Sequence, residues 1–502
     1  MGAHPDHTAG FGPDRCHPAP RRKNRARAQH GLGCCELPQR HRKGICMNLG
    51  TWLERTARHD PDRPALFLGQ DQVATYGQFH HRAGQVAAWL ESQGIQPGDR
   101  VGIFMKNAPD YLIVLYGIWY AGAAAVPINA KLHEREARFI IENSGTCLTF
   151  ATGQLARALA KAGVASPVVD PNNPAFAESH SATRAAPMHC APDDLAWLFY
   201  TSGTTGRPKG VMITHRMLVT MSLCYQSDVD HVRDDDAILY AAPMSHGAGI
   251  YNMVHVLVGA RHVCPASGGF DPAEIFDLAR HHGAVQMFAA PTMVRRMTDV
   301  AKEAGASGEG LRTVVYGGGP MYLADIIEAE IHFGPIFVQI YGQGECPMAI
   351  TVLPRTDVSD REHPDWRSRL ASIGRAQSAV EVRIGTPDGS CLPPGEHGEI
   401  MVRGETVMPG YWNNPDATAK TLIDGWLMTG DMGFMDVAGY VTLQDRSKDM
   451  IISGGSNIYP REVEEVLLTH PKVNEVSVVG RTHPDWGEEV VAFVVGSATP
   501  DQ

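Results

Sequence analysis

Apolar and polar positions fall into two alternating regimes along this chain. Short apolar runs such as Arg100-Val101-Gly102-Ile103-Phe104, Val285-Gln286-Met287-Phe288, Thr313-Val314-Val315-Tyr316 and Ile336-Phe337-Val338-Gln339 read as strands. Stretches of helical texture, such as residues 82–93 and 109–121, lie between runs of this kind. Strand–helix alternation over this length predicts a parallel sheet in an α/β architecture. Residues 111–128 form a long uncharged run, about the length that crosses a membrane. Gly117, Gly122 and Pro127 interrupt it, so the expectation is a buried helix followed by a short strand at 125–128, and no transmembrane segment.

The texture changes between about residues 372 and 442. There the short strands Val380-Glu381-Val382-Arg383-Ile384 and Gly398-Glu399-Ile400-Met401-Val402 alternate with the turns Pro387-Asp388-Gly389 and Pro393-Pro394-Gly395, as in a small β-rich subdomain. After Lys448 come a glycine-rich turn, a helix over 460–469 and strands over 473–479 and 489–495. The expected fold class is α/β, in two parts. Residues 47–447 form a large N-terminal domain of parallel sheets flanked by helices, with the β-rich subdomain, and residues 448–502 form a small α+β C-terminal domain. Residues 1–46 stand apart, with nine Lys/Arg against three Asp/Glu and no apolar periodicity. Their scarcity of serine and lack of an amphipathic helix weigh against a targeting peptide. A disordered or non-native extension before Met47 is expected instead.

At 502 residues, with 43% hydrophobic and 20% charged, the chain has room for two or more domains and the balance of an ordinary soluble globular protein. The net charge of −11 argues against a general nucleic-acid binder but leaves room for a basic patch at an anionic cofactor. Of ten cysteines, Cys16, Cys34, Cys35 and Cys46 lie in the head without Cys-x-x-Cys spacing, and the rest are scattered. That usage fits neither a disulfide scaffold nor a zinc site. It suits a reducing compartment, and a cytoplasmic location is expected.

One loop concentrates the candidate chemistry. Thr201, Ser202, Gly203, Thr204, Thr205, Gly206, Arg207, Pro208, Lys209 and Gly210 follow one another between apolar strands at 198–200 and 211–213. Glycines bring backbone N–H groups close to a ligand, hydroxyls add donors, and Arg207 and Lys209 add positive charge, so the segment is suited to a polyphosphate. It is not the phosphate loop of ordinary NTPases, because Pro208 stands where that pattern needs its second glycine. A bland surface loop is the alternative.

Further short motifs follow in order: Pro243-Met244-Ser245-His246-Gly247, Gly317-Gly318-Gly319-Pro320, Tyr341-Gly342-Gln343-Gly344-Glu345, Trp426-Leu427-Met428-Thr429-Gly430-Asp431, Asp445-Arg446-Ser447-Lys448-Asp449 and Ser453-Gly454-Gly455-Ser456-Asn457. Each alone has a plain reading, such as a structural histidine, a glycine turn or a surface salt bridge. Together, from about Met47 to the end, the chain resembles the adenylate-forming (AMP-binding) superfamily of acyl-CoA synthetases, aryl-CoA ligases, luciferases and peptide-synthetase adenylation domains.

The resemblance implies an ATP-dependent carboxylate–CoA ligase that forms an acyl-adenylate and then an acyl-CoA thioester, using ATP, Mg2+ and coenzyme A on a fatty or aryl acid. It implies that Thr201, Ser202, Gly203, Thr204, Thr205, Gly206 and Lys209 hold the β- and γ-phosphates. Gly317, Gly318, Gly319 and Pro320 would flank adenine, with Gly317 also bordering the acyl pocket. Tyr341 would stack on adenine, Gly342, Gln343 and Gly344 would lie at the nucleotide, and Glu345 with Thr201 would hold Mg2+. Asp431 would accept from the ribose hydroxyls and Arg446 would reach ribose or phosphate. His246 would sit near the carboxylate and α-phosphate, Lys448 at a hinge, and Gly454 and Gly455 along the thiol tunnel.

Gly344 departs from the family pattern, which has threonine there and a further hydroxyl for phosphate. Family members also carry a later Pro-x-x-x-x-Gly-Lys motif, and none follows Lys448. The expectation is an incomplete C-terminal domain and impaired adenylation, with thioester formation from supplied acyl-adenylate retained. The tract Ser245-His246-Gly247-Ala248-Gly249-Ile250, with Gly317 and Met348-Ala349-Ile350, points to an uncharged acyl pocket. A non-catalytic nucleotide- or acyl-adenylate-binding protein and a peptide-synthetase adenylation domain are the alternatives. Expected partners are a small-molecule carboxylic acid and CoA, with no nucleic acid; a homodimer is left open.

Overall fold

The computed structural model describes residues 47–173, 176, 182–201, 207–446, 450–453, 456–470, 472–483 and 486–497, without the side chains of 445, 446, 456 and 457. In chain order the strands begin with β1 (Pro64–Leu68), β2 (Asp71–Thr75), β3 (Arg100–Phe104), β4 (Ala124–Pro127), β5 (Leu148–Ala151), β6 (Val168–Val169), β7 (Leu195–Thr201) and β8 (Lys209–Thr214). They continue with β9 (Ala237–Leu239), β10 (Arg261–Cys264), β11 (Val285–Ala289), β12 (Leu311–Tyr316), β13 (Phe337–Gln343), β14 (Cys346–Leu353) and β15 (Arg375–Ala376). Among the described residues, one sheet runs β15-β14-β13-β12-β11-β9-β10-β1-β2 and a second runs β6-β5-β3-β4-β7-β8. In the first, β1, β9, β10, β11, β12 and β13 are parallel, β2 and β14 run antiparallel to them, and β15 pairs antiparallel with β14 at the edge. In the second, β3 to β7 are parallel and β8 returns antiparallel. The α/β architecture expected from the strand–helix alternation is the one observed.

Burial on every side accounts for the long uncharged run. The helix Pro109–Tyr120 packs against β3 and β4 of one sheet and against β1 and β10 of the other. A helix with no wet face is apolar all round. Its polar tips are satisfied internally: Trp119 Nε1 donates to the Ala196 carbonyl and the Tyr116 hydroxyl to Asn252 Oδ1, both at 2.9 Å. Among the described residues no helix is long and apolar enough to cross a membrane.

The helix expected over 82–93 starts earlier, as Tyr76–Ser92. Thr75 Oγ1 accepts from the Gln78 N–H while Gln78 Oε1 accepts from the Thr75 N–H, a reciprocal capping box that sets the start. The β-rich region expected between 372 and 442 is the sheet of β16 (Val380–Gly385), β17 (Gly398–Gly404), β18 (Leu422–Ile423), β19 (Trp426–Met435) and β20 (Val441–Arg446). A last sheet holds β21 (Ile451–Ser453), β22 (Ser456–Ile458), β23 (Val473–His483) and β24 (Gly487–Gly496), with the helix Pro460–Leu468 against β23. That helix also reaches the large sheets' side of the molecule, where the Tyr322 hydroxyl donates to Glu464 at 2.9 Å and Arg461 donates to the Met321 carbonyl at 3.1 Å.

Because β9, β11, β12 and β13 are parallel, their carboxyl ends lie on one edge of the first sheet and release the chain at 240, 290, 317 and 344. Ligands in open α/β sheets bind outside such carboxyl ends.

Candidate active site

Thr201 is the last residue of β7, paired across the hairpin with Lys209 at the start of β8. Ser202, Gly203, Thr204, Thr205 and Gly206 lie outside the described residues. The end of β7 abuts the Gly344-Glu345 turn so closely that a Cβ on Gly344 would stand 2.7 Å from Thr201 Cγ2 and 2.8 Å from Phe199 Cδ1. Gly344, where the resemblance leads one to expect threonine, thus lets two motifs, separate in sequence, meet. Glu345 is half-buried, and its Oε1 accepts from the Tyr411 hydroxyl at 2.6 Å. Burial, with the Glu345 charge beside it, pushes the Tyr411 hydroxyl well above the ordinary tyrosine value, so it stays a donor. Lys209 Nζ sits 4.2 Å from the centre of the Tyr411 ring, a cation–π contact.

Tyr341, Gly342 and Gln343 lie within β13, paired with β14. The Tyr341 hydroxyl donates to Asp431 Oδ2 at 2.6 Å, and Gln343 Nε2 donates to the same oxygen at 2.6 Å and to the Thr429 carbonyl at 2.9 Å. Burial first, and then the Asp431 charge, raise the Tyr341 hydroxyl far above its usual value. Asp431, on β19, is buried, and its N–H donates to Thr429 Oγ1 at 3.1 Å. The Gly430 N–H donates to Glu399 Oε1 at 2.7 Å, and burial lifts the Glu399 carboxyl above its ordinary range. Arg446 ends β20 directly opposite Asp431 in the backbone register; its side chain lies outside the described residues, as do Lys448, Gly454 and Gly455.

His246 follows β9. Its Nδ1 is 2.9 Å from Ser245 Oγ, and its ring meets Phe199 edge-to-face with centroids 5.3 Å apart. Burial lowers its pKa below the usual histidine value, so the ring is neutral at neutral pH. Phe199 therefore touches the His246 ring on one side and the Gly344 turn on the other. Behind His246, a Cβ on Gly249 would lie only 1.7 Å from the Met244 carbonyl, so that position needs glycine, whereas a Cβ on Gly247 would lie 2.8 Å from Met348 Sδ and displace that side chain. Met348 holds a φ of +60°, a left-handed backbone unusual for a non-glycine residue. Gly317 is pressed against the Ile340 carbonyl, which a Cβ would approach to 2.5 Å. Gly318, Gly319 and Pro320 are exposed at the end of β12.

Thr201, His246 and Glu345 come together around Phe199, and Tyr341, Gln343 and Asp431 around one carboxylate. Sequence reasoning missed Phe199, Tyr411, Glu399 and Asn107 as parts of the site. The Asn107 side chain donates to the Tyr240 and Ala242 carbonyls and accepts from the Met244 N–H, at 2.8, 2.8 and 2.9 Å. None of these residues sits in a glycine-rich run or has any other local signal.

Residues 53–412 match the AMP-binding enzyme family, and residues 462–502 match the AMP-binding enzyme C-terminal domain. Over 450 residues the chain is 35% identical to a feruloyl-CoA synthase of an Amycolatopsis species, covering 89% of this chain and 88% of that one. It is 34% identical over 453 residues to the fatty acid–acyl-carrier-protein ligase ScoC of Streptomyces coeruleorubidus, covering 89% and 86%. The structure of o-succinylbenzoate CoA synthetase (MenE) from Bacillus subtilis, in complex with its acyl-adenylate intermediate, superposes with a TM-score of 0.79 at 29% identity, covering 89% of this chain and 88% of that one. With the motifs gathered at the carboxyl ends of the sheet and this similarity along most of its length, the chain belongs to the AMP-binding enzyme family, as an AMP-forming acid–thiol ligase.

Proposed function

We propose that this protein activates a fatty or aryl acid with ATP and passes the acyl group to coenzyme A. The observation that carries the reading is the meeting of Thr201, the Gly344-Glu345 turn and His246 around Phe199. A carboxylate is a poor acyl donor because its leaving group would be an oxide. In the first step a carboxylate oxygen attacks the α-phosphorus of ATP, the bond to pyrophosphate breaks, and the acyl-AMP anhydride forms. In the second step the CoA thiolate attacks the acyl carbon, and AMP leaves with the C–O bonding pair. The protein's part is positioning and charge neutralisation.

Thr201 and Lys209, with Ser202, Gly203, Thr204, Thr205 and Gly206 between them, would hold the β- and γ-phosphates. Asp431, already fixed by Tyr341 and Gln343, would take the ribose hydroxyls together with Arg446. The Tyr341 ring and the exposed turn Gly318, Gly319 and Pro320 would flank adenine. His246, held neutral by burial, would face the reacting carboxylate. Gly454 and Gly455 would line the path of the thiol, on a C-terminal unit dividing from the large domain near 447.

Mg2+ would be held by the Glu345 carboxylate and the Thr201 hydroxyl and would supply neutralisation of phosphate charge. Hard oxygens at adjoining positions suit it. It commonly takes one or two protein ligands and leaves the rest to phosphate and water, so it needs no cluster of three His, Cys, Asp or Glu, and none occurs among the described residues. Gly247, Gly249, Gly317 and Met348 give the acyl side of the site an uncharged wall, which favours fatty and aryl acids. A cytoplasmic setting supplies ATP and CoA.

Mass spectrometry of products from ATP, Mg2+, CoA and a panel of fatty and benzoate-like acids tests the reading. Acyl-CoA is expected from one class of acid. Glu345→Gln is expected to abolish the ATP-driven product while sparing acyl transfer from supplied acyl-AMP. Turnover untouched by Glu345→Gln would overturn the metal-holding role. No acyl-CoA from any acid or from supplied acyl-AMP would overturn the ligase reading.

A further inference from the structure

Residues 408–412 form a strap across the site that no glycine-rich motif announces. The Met408 N–H donates to the Glu345 carbonyl at 2.8 Å, the Met212 N–H to the Gly410 carbonyl at 3.2 Å and the Trp412 N–H to the Gly210 carbonyl at 2.7 Å. Val211 and Tyr411 form an isolated antiparallel bridge. Beyond the strap, the Tyr411 N–H donates to Thr418 Oγ1 at 3.0 Å, and Asn414 Oδ1 caps the helix Pro415–Thr421. The strap is thereby tied to the strand leaving the phosphate loop, to the Glu345 backbone and to a helix behind it.

At the centre of the strap Tyr411 has two different neighbours of opposite charge. Its hydroxyl donates to Glu345 Oε1 at 2.6 Å, and its ring face carries the Lys209 ammonium at 4.2 Å. Among the described residues Glu345 Oε2 takes no hydrogen bond, and no ion pair joins Lys209 to Glu345. A cation and a carboxylate this near a common side chain would otherwise pair directly and mask each other. A ring face satisfies an ammonium without consuming a carboxylate oxygen. A phenol donor bound to one oxygen fixes the carboxylate rotamer and aims the other oxygen.

We propose that Tyr411 is a positioning residue: its hydroxyl orients the Glu345 carboxylate for a divalent cation while its ring holds Lys209 off that carboxylate. The inference rests on the proposed metal-holding role of Glu345 and goes beyond it by assigning a residue that touches neither nucleotide nor acid. Tyr411→Phe keeps the ring under Lys209 and so isolates the hydroxyl.

The test is calorimetric affinity for ATP, measured with Mg2+ and again with EDTA, in the wild type, Tyr411→Phe, Glu345→Gln and the double variant, with Tm recorded for each. Tyr411→Phe is expected to lower the Mg2+-dependent gain in affinity about tenfold, the scale of a lost hydrogen bond to a charged group, and to leave affinity in EDTA unchanged. The double variant is expected to bind no worse than Glu345→Gln, because the hydroxyl acts through that carboxylate. Losses that add in the double variant, or an equal loss in EDTA, would overturn the proposal and leave Tyr411 a structural residue. If Glu345→Gln kept the full Mg2+ gain, the metal-holding reading itself would fall, and this inference with it.

Discussion

Gly344 shows how one missing Cβ can set the spacing of a site. The strand end at Thr201 and the turn at Glu345 come from different sheets, and a side chain at 344 would have to share space with Thr201 Cγ2 and the Phe199 ring. Restoring the family's threonine is therefore not a gain of one hydroxyl in this chain. Gly344→Thr is expected to cost about 1–3 kcal/mol by overpacking and to lower kcat/KM by pushing Thr201 away from Glu345. Adding Phe199→Leu should recover part of the stability. Denaturant titration and steady-state kinetics on the two variants check this, and unchanged stability in Gly344→Thr would contradict the close contact. The departure at 344 is visible in the sequence, but there it reads only as a lost hydroxyl. Its steric cause depends on a residue 145 positions earlier in the chain, so no local pattern carries it.

At the scale of elements, the segment that leaves β9 and presents His246 has little regular structure of its own. It is pinned from the opposite sheet by Asn107, which stands just past β3 and binds the backbone at Tyr240, Ala242 and Met244. Asn107→Ala leaves two buried carbonyls and an N–H without that partner. A loss of about 1–3 kcal/mol is expected, because unmade buried hydrogen bonds cost more than made ones contribute. With the segment loosened, kcat should fall more than Tm predicts. Kinetics at a temperature well below Tm separates the two effects, and an unchanged kcat would mean the segment holds itself. The strands were legible in the sequence as short apolar runs, and the motifs were legible as glycine, hydroxyl and carboxylate clusters. Two features were not. Tyr341, Gly342 and Gln343 continue β13 because β14 folds back to pair with them, and Asn107 reaches residues more than 130 positions away. Pairing partners of that kind are set by topology, which an alternation of apolar and polar positions does not encode.

Across the whole molecule, the largely buried helix Pro109–Tyr120 joins two sheets into one interior, and that interior also holds histidines. His262 lies between the Tyr240 hydroxyl at 2.7 Å and the Tyr76 hydroxyl at 3.2 Å. His255 contacts the Tyr251 carbonyl at 2.8 Å and Gln286 Oε1 at 3.3 Å, and His215 Nδ1 accepts from the Leu49 N–H at 3.3 Å. Burial lowers all three: His255 to about 4, His215 to about 3, and His262 well below its ordinary value. Each is neutral when folded, while the unfolded chain takes up its proton near pH 6.5. The stability they contribute is therefore fully present above about pH 6.5 and is lost as pH falls from there toward the folded values, at about 1.4 kcal/mol per pH unit for each histidine. Guanidinium midpoints between pH 7.5 and 4.5 should fall steeply on the acid side. His255→Gln, which cannot titrate, should reduce that slope by about 1.4 kcal/mol per pH unit between pH 6 and 4.5. An unaltered slope in the variant would show that His255 takes up its proton without unfolding the protein. Since these rings sit between the sheets whose strand ends carry Thr201, His246 and Glu345, activity should fall over the same acid range in which the fold weakens.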